Sequence, residues 1–417
     1  MAEVPTASNV LSFEDARRAV EEQAAQVRPL GTESVDLLAA SGRVLAAPIV
    51  ADRDIPPFPR STRDGYAVRS VDLAQIPVTL ERIGEIRAGE SLENIPANVA
   101  SGQTVSIMTG APVPNATDAV VMVEYTDARG SRVEIRKGVD AGENIVPRGA
   151  EARAGGELVA RGVRLNDAAI ALAASAGKSK LEVLRQPRVG VLTTGDEIVP
   201  IANVPGATQI RNSNSYSLAV QIEQAGGVPV QLPIAPDEPE ALRHLIDEGL
   251  QADLLLLTGG VSMGRYDLVE QVLSEMQAEF FFTGAKIQPG RPVVFGKCSR
   301  REENKSTYFF GLPGNPVSTM VTFELFARPI LESLAGMSRR KLLFVYGRLK
   351  SDIRVKPGLR RFLPAILTGE FENSKVEVVK WQGSGDVAAT ARANCYVVIL
   401  PDREHIAAGE FVPIMLR

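Results

Sequence analysis

With 417 residues, 45% hydrophobic and 23% charged, the chain has ordinary globular composition and room for about three domains, which excludes disordered, collagen-like and coiled-coil classes. A net charge of −4 leaves no overall basic field to recruit nucleic acid or an anionic membrane, so neither is expected as a partner. Two cysteines without a CxxC pair and two histidines exclude a disulfide framework, a thiolate zinc site and a histidine-based triad or metal centre.

The opening residues MAEVPTASNVLSFEDARRAV lack a basic-then-apolar leader. No apolar run in the chain approaches the ~20 residues that span a bilayer. A soluble, cytoplasmic protein is expected. Ser12 followed by Asp15 reads as a capping box ahead of an amphipathic helix from Phe13 to Val27. A short helix is predicted over Ser34–Ala40, then a strand in VLAAPIVA. The prolines of DIPPFPRSTRDGYAVRS, 54–70, forbid regular helix or central strand and make a rigid segment that presents Ser61 to Tyr66. From about 76 to 150, short Val/Ile/Thr runs broken by Gly and Pro predict a small β domain.

Asn166 and Asp167 cap an alanine-rich helix that ends at Gly177 and resumes the texture of the N-terminal part. The expected organisation is an elongated domain in two segments, 1–53 and 151–185, with a β domain inserted at 54–150. From 186 to 338, strands and helices alternate. VGVLT, NSYSLAVQIEQAGG, VPVQLPIA, EPEALRHLIDEGL, DLLLLT, YDLVEQVLSEM, FFFTGAKI, STYFFGL and VSTMVTFELFARPILESL predict a doubly wound α/β domain with a parallel sheet covered on both faces. Residues 339–417 return to short strands without a helix, a small C-terminal β domain.

Ligands of doubly wound sheets sit beyond the carboxyl ends of the strands. Three loops fall there: TTGDE at 193–197, TGGVSMGRYD at 258–267 and GLPGNPVST at 311–319. Glycine lets backbone approach a ligand, and helix N-termini offer free N–H groups to an anion. Acids also stand at these ends: Asp196, Glu197, Asp237 and Asp267. Beside a phosphate they call for a cation, and oxygen ligands without His or Cys favour Mg²⁺. Asp is equally a good N-cap, which is the stronger reading for Asp196 and Asp237 taken alone. KIQPGRP, 286–292, sets Lys286 and Arg291 around a Pro-Gly turn, as suits an anion site or a solvated hairpin.

In order, PPFPRSTRDGYAVR, IMTGAPVP, TTGDE, TGGVSMGRYD, QPGRP and LPGNPVS resemble the motifs of molybdopterin molybdotransferases, the family that includes the E domain of gephyrin. The resemblance runs from about residue 10 to the C-terminus. It implies four domains, the third a molybdopterin-binding α/β domain. It also implies a homodimer whose active sites form between domain III of one subunit and domain II of the other. The implied reaction inserts molybdenum from molybdate into adenylylated molybdopterin, with Mg²⁺-dependent release of AMP. Molybdopterin adenylyltransferase is the implied protein partner.

By match to the motifs, Asp64 and Thr109 are the domain II contributors, while Glu197, Asp237 and Asp267 line the domain III site and hold the metal. Thr194, Gly195 and Asp196 face the ligand from one turn, and Gly259, Gly260 and Ser262 from the next. Pro313, Gly314, Asn315 and Ser318 form the pterin- or phosphate-facing loop, with Lys286 and Arg291 as anion contacts. Ser384, in WQGSGD, faces the cleft from domain IV. Two departures stand out. Glu151 replaces the family's frequent Asp, and Gln288 replaces a lysine, which shifts anion attraction to Lys286 and Arg291. Arg360 and Arg361 resemble the family's basic pair near domain IV. A scaffold that keeps the fold without turnover, and an adenylylating or pyrophosphate-cleaving enzyme on the same core, are the competing readings.

Overall fold

The computed structural model describes residues 9–260, 268–299, 306–338 and 341–417. Ser12 starts the first helix, Phe13–Ala24: its Oγ accepts from the Asp15 N–H at 3.0 Å and donates to the Asp15 carboxylate at 2.7 Å. Phe13, Ala16, Val20 and Ala24 form its buried stripe. The stripe packs on the α/β unit. The Phe13 ring lies 6.3 Å from Phe326 and 5.8 Å from Phe362.

Two segments that pair with each other form the next unit. Thr32–Asp36 runs antiparallel to Lys180–Leu184, and Ile49–Val50 to Glu157–Val159. The helix Asp167–Ser175 closes over a core that includes Leu45, Ile49 and Leu181, with Asn166 Oδ1 accepting from the Ala169 N–H at 2.9 Å. The short helix expected over Ser34–Ala40 is half strand, because Ser34 to Asp36 pair across to residues 180–182; only Leu37–Ala40 makes a 3₁₀ turn. VLAAPIVA keeps just Ile49–Val50 as strand, since the two residues at its start bridge separate neighbours, Arg164 and Val183.

Between those segments a six-stranded mixed sheet is inserted, in the order Ala119–Met122, Gly65–Val68, Gln103–Ile107, Val78–Ile86, Arg132–Ile135, Thr126–Arg129. Alternate residues serve opposite faces: Tyr66 and Val68 join one buried cluster, Ala67 the other.

The α/β sheet has the order Val228–Gln231, Arg188–Thr193, Leu254–Thr258, Ser306–Leu312, Val294–Ser299, Glu279–Phe282. Leu254 and Leu256 bury into one core, Leu255 and Leu257 into the other, so an unbroken apolar run is what both covered faces require. The first four strands are parallel, and Val294–Ser299 alone is reversed, antiparallel to both its neighbours, against the expectation of a parallel sheet. Six residues separate Val294–Ser299 from Ser306–Leu312, too few for a parallel crossover. FFFTGAKI is correspondingly broken into Glu279–Phe282, Gly284–Ala285 and Ile287–Gln288.

The last long helix is not uniform. Pro316–Thr322 and Arg328–Leu334 are joined by a π-turn, Phe323–Ala327. Pro329 explains it: it has no N–H for the Leu325 carbonyl, and its ring crowds that oxygen. The buried Arg17 guanidinium donates to the Leu325 carbonyl instead and pairs with Glu21 at 2.8 Å. Burial lowers the Arg17 pKa, and the Glu21 carboxylate opposes that shift. Arg17→Met should leave the carbonyl unsatisfied and cost about 1–3 kcal/mol in urea unfolding; an unchanged midpoint would show that the contact contributes nothing.

In the C-terminal part, five strands close into a barrel, Arg360–Thr368 pairing with both Lys375–Val378 and Cys395–Ile399. The short helix Val387–Arg392, unexpected from sequence, starts where the Asp386 carboxylate accepts from the Ala389 N–H at 2.9 Å. Among the described residues no helix is long and apolar enough to cross a membrane.

Candidate active site

Strand register brings the three turns together. Thr193 pairs with Thr258, and Thr258 with Leu312, across three adjacent parallel strands. Thr194-Gly195, Gly259-Gly260 and Pro313-Gly314 therefore leave the sheet at one level, side by side. The backbones nearly touch. A Cβ on Gly259 would stand 2.2 Å from the Thr194 carbonyl oxygen, and one on Gly314 would stand 3.6 Å from the Gly259 Cα. Only glycine permits that approach at position 259, where φ is +93°.

The turns lead into different elements. Pro313 to Asn315 run directly into the helix Pro316–Thr322, with Asn315 exposed and Ser318 buried in its first turn. After Gly195 the chain instead makes a small two-stranded excursion, Ile198–Val199 with Ile210–Arg211, before a helix begins at Asn214. Ser262 and Asp267 lie outside the described residues.

A buried polar cluster that sequence reasoning missed locks the loops. Asn214 Nδ2 donates to Thr258 Oγ1 and to the Gly314 carbonyl, both at 2.8 Å. Its Oδ1 is buried and has no hydrogen-bond partner among the described residues. Thr193 and Ser215 hydroxyls lie 2.8 Å apart, and Asn212 Nδ2 donates to Ser215 Oγ at 2.8 Å. The signal was present in the polar run RNSNS, which opens a helix directly behind the strand ends.

Carboxylates ring this floor. Thr194 bridges in parallel to Ala235, which sets Asp237 beside the first turn. Thr194 Oγ1 donates to Asp237 Oδ1 at 2.9 Å, and the Asp237 N–H donates to Asp196 Oδ1 at 3.1 Å. Asp196 thus ties two loops together and caps no helix; the helix after Asp237 starts at Pro239 with no side-chain cap. The Glu197 carboxylate folds back on Gly195, where a Cβ would meet its Oε2 at 2.6 Å. Asp196, Glu197 and Asp237 are exposed. Among the described residues no three His, Cys, Asp or Glu gather as a ready cation cage.

The C-terminal barrel reaches the same place. The Val317 N–H donates to the Ser384 carbonyl at 3.0 Å, which seats the half-buried Ser384 against the helix start. The turn at Gly290 packs on that helix from another side, since a Cβ there would meet Thr322 Cγ2 at 2.4 Å. Lys286 and Arg291, flanking it, are exposed. Ile287 and Gln288 pair with Arg360 and Arg361, which puts the basic pair beside this turn. Arg360 is held by Glu14 at 2.7 Å, and Arg361 donates to the Lys356 carbonyl at 2.6 Å.

Asp64 and Thr109 meet on the inserted sheet. The Thr109 N–H and hydroxyl donate to Asp64 Oδ1 at 2.7 and 3.0 Å. The backbone N–H, followed by the hydroxyl, holds the exposed Asp64 carboxyl below the usual range, so it is ionised throughout neutral pH. Thr109→Val keeps the larger cause and removes the smaller. An NMR titration should find the Asp64 pKa raised but still depressed, and no rise would mean that the hydroxyl is not engaged. Glu151 pairs with Arg60 at 2.9 Å.

Family models match most of the chain. Residues 11–177 match the family model "MoeA N-terminal region (domain I and II)", residues 190–333 "Probable molybdopterin binding domain", and residues 346–416 "MoeA C-terminal region (domain IV)". The molybdopterin molybdenumtransferase of Haemophilus influenzae is 33% identical over 393 residues, covering 93% of this chain and 94% of that protein. The one from Nostoc sp. is 36% identical over 313 residues, 74% of this chain and 70% of that protein. A crystal structure of a molybdopterin biosynthesis MoeA protein from Pyrococcus horikoshii, 28% identical, superposes with a TM-score of 0.76, covering 98% of this chain and 100% of that one. The chain belongs to the molybdopterin molybdenumtransferase (MoeA) family and is a transferase of molybdenum cofactor biosynthesis.

Proposed function

We propose that the protein inserts molybdenum from molybdate into adenylylated molybdopterin, releasing AMP. The observation that carries this is the level register of three glycine turns at adjacent strand ends, with carboxylates around them. A pyrophosphate link needs close backbone approach and N–H donors, which Gly195, Gly259, Gly260 and Gly314 allow. Pro313, Asn315, Ser318 and Ser384 would seat the pterin or phosphate end, while Lys286 and Arg291 would attract the oxyanion.

The donor set suits Mg²⁺, which takes one or two carboxylates plus ligand oxygens. Glu197 and Asp237 are exposed oxygen donors on neighbouring loops, and Asp267 would complete the set. When bound, the cation would offset the pyrophosphate charge and polarise the phosphorus under attack. The chain's residues do the positioning: Thr194 fixes the Asp237 carboxylate by its hydroxyl, and Asn214 holds two of the three turns. In this reading the protein is a cytoplasmic homodimer supplied by molybdopterin adenylyltransferase, and Asp64 and Thr109 of the partner subunit complete each site.

Mixing two inactive proteins tests the shared site. A heterodimer of Asp64→Ala and Glu197→Gln subunits would contain one doubly damaged site and one intact site. Molybdate-dependent AMP release should return on subunit exchange; no recovery in exchanged dimers would contradict a site built from two subunits.

A further inference from the structure

A second cleft lies away from the strand ends. Its volume is about 600 Å³, and it opens where the elongated unit, the α/β helix and the barrel meet. A cavity of 300–1,000 Å³ is the size that takes a small organic molecule. The 316–334 helix links the two places. Asn315 is at its start, whereas Arg328 and Glu332 line the cleft, about 20 and about 25 Å further along at 1.5 Å per residue.

The charges of the cleft do not balance. Arg17, Arg161, Arg164, Arg328 and Lys341 line it, against Glu324 and Glu332. The acids are already engaged: Arg328 bonds Glu324 at 2.6 Å and Glu332 at 2.9 Å. Arg17 is tied to Glu21 and the Leu325 carbonyl, and Arg164 to the Gly42 and Gln224 carbonyls. Arg161 and Lys341 make no hydrogen bond or ion pair among the described residues. Apolar side chains line the cleft as well, among them Met337, Val163, which is 40% exposed, and Leu343, which is 71% exposed.

We propose that this cleft is a binding site for an organic phosphate monoester, separate from the molybdopterin site. Two unpaired cations match a head carrying about −1.5 to −2 charges at neutral pH. The apolar wall fits an apolar body, and the satisfied Arg328 bridge keeps the acids from repelling the head. The inference does not depend on the reading of the catalytic site.

Met337 and Met415 both line the cleft, while Met320 lies on the helix behind Ser318, so methionine-methyl NMR tells the two places apart. Phenyl phosphate titrated into the full-length protein should shift the Met337 and Met415 methyls saturably. Benzyl alcohol, which keeps the body without the charge, should not shift them, and inorganic phosphate should bind more weakly. Arg161→Glu with Lys341→Glu reverses two exposed, unpartnered charges and should weaken binding at least tenfold with an unchanged melt. Shifts confined to Met320, equal response to benzyl alcohol, or undiminished binding in the double variant would each overturn the proposal.

Discussion

Glu197→Gln should reduce molybdenum insertion by at least about two orders of magnitude, the usual scale for removing one electrostatic participant from a preorganised site. The substitution keeps shape and removes charge. Glu197 is exposed and lies back over Gly195, where the missing Cβ makes room for its carboxylate. Among the described residues no buried contact depends on its negative charge, so unfolding free energy should stay within about 0.5 kcal/mol. Asp267→Asn should lower turnover in the same way. Unchanged turnover in both variants would remove the carboxylates from the mechanism. A loss of activity accompanied by a large drop in stability would make their role architectural instead.

Gly259→Ala should do more damage to the molecule. The new methyl would stand 2.2 Å from the Thr194 carbonyl oxygen, a backbone atom that cannot rotate away. The residue also sits at φ +93°, which L side chains rarely adopt. Strain of about 1–2 kcal/mol from the dihedral and about 1–3 kcal/mol from overpacking should separate the first two turns and abolish ligand binding. Gly409→Ala is the control. That position has φ +89° but nothing within 4 Å of a Cβ, so it carries strain without collision. Similar losses at the two positions would mean that loop contact contributes little.

Much of this architecture was legible because local chemistry and tertiary role coincide. Ser12 and Asn166 cap the helices they precede, and the apolar runs ending at Thr193, Thr258 and Leu312 are central strands ending in turns. Period alone does not give direction, and the reversed strand Val294–Ser299 was not read from the sequence at all. An amphipathic stripe does not say what covers it. Phe13 looked like part of the elongated unit, yet it packs on Phe326 and Phe362. Pro329 was visible, but its consequence depends on Arg17 arriving from more than 300 residues away.

The site shows the same division. The glycines and acids stood out as residue types, whereas Asn214 did not, because its importance comes from bridging two loops separated by 56 residues. The contact between Val317 and Ser384 was likewise invisible until the barrel was placed.

Reconstitution in vitro is the decisive test of molybdenum insertion. Purified protein, adenylylated molybdopterin, Mg²⁺ and molybdate would be incubated with a cofactor-free molybdenum enzyme, and the recovery of that enzyme's activity followed. Recovery should require both molybdate and this protein and should disappear with Glu197→Gln. Tight binding of the adenylylated pterin with no recovery under any metal supply would contradict insertion and favour a fold retained for binding alone.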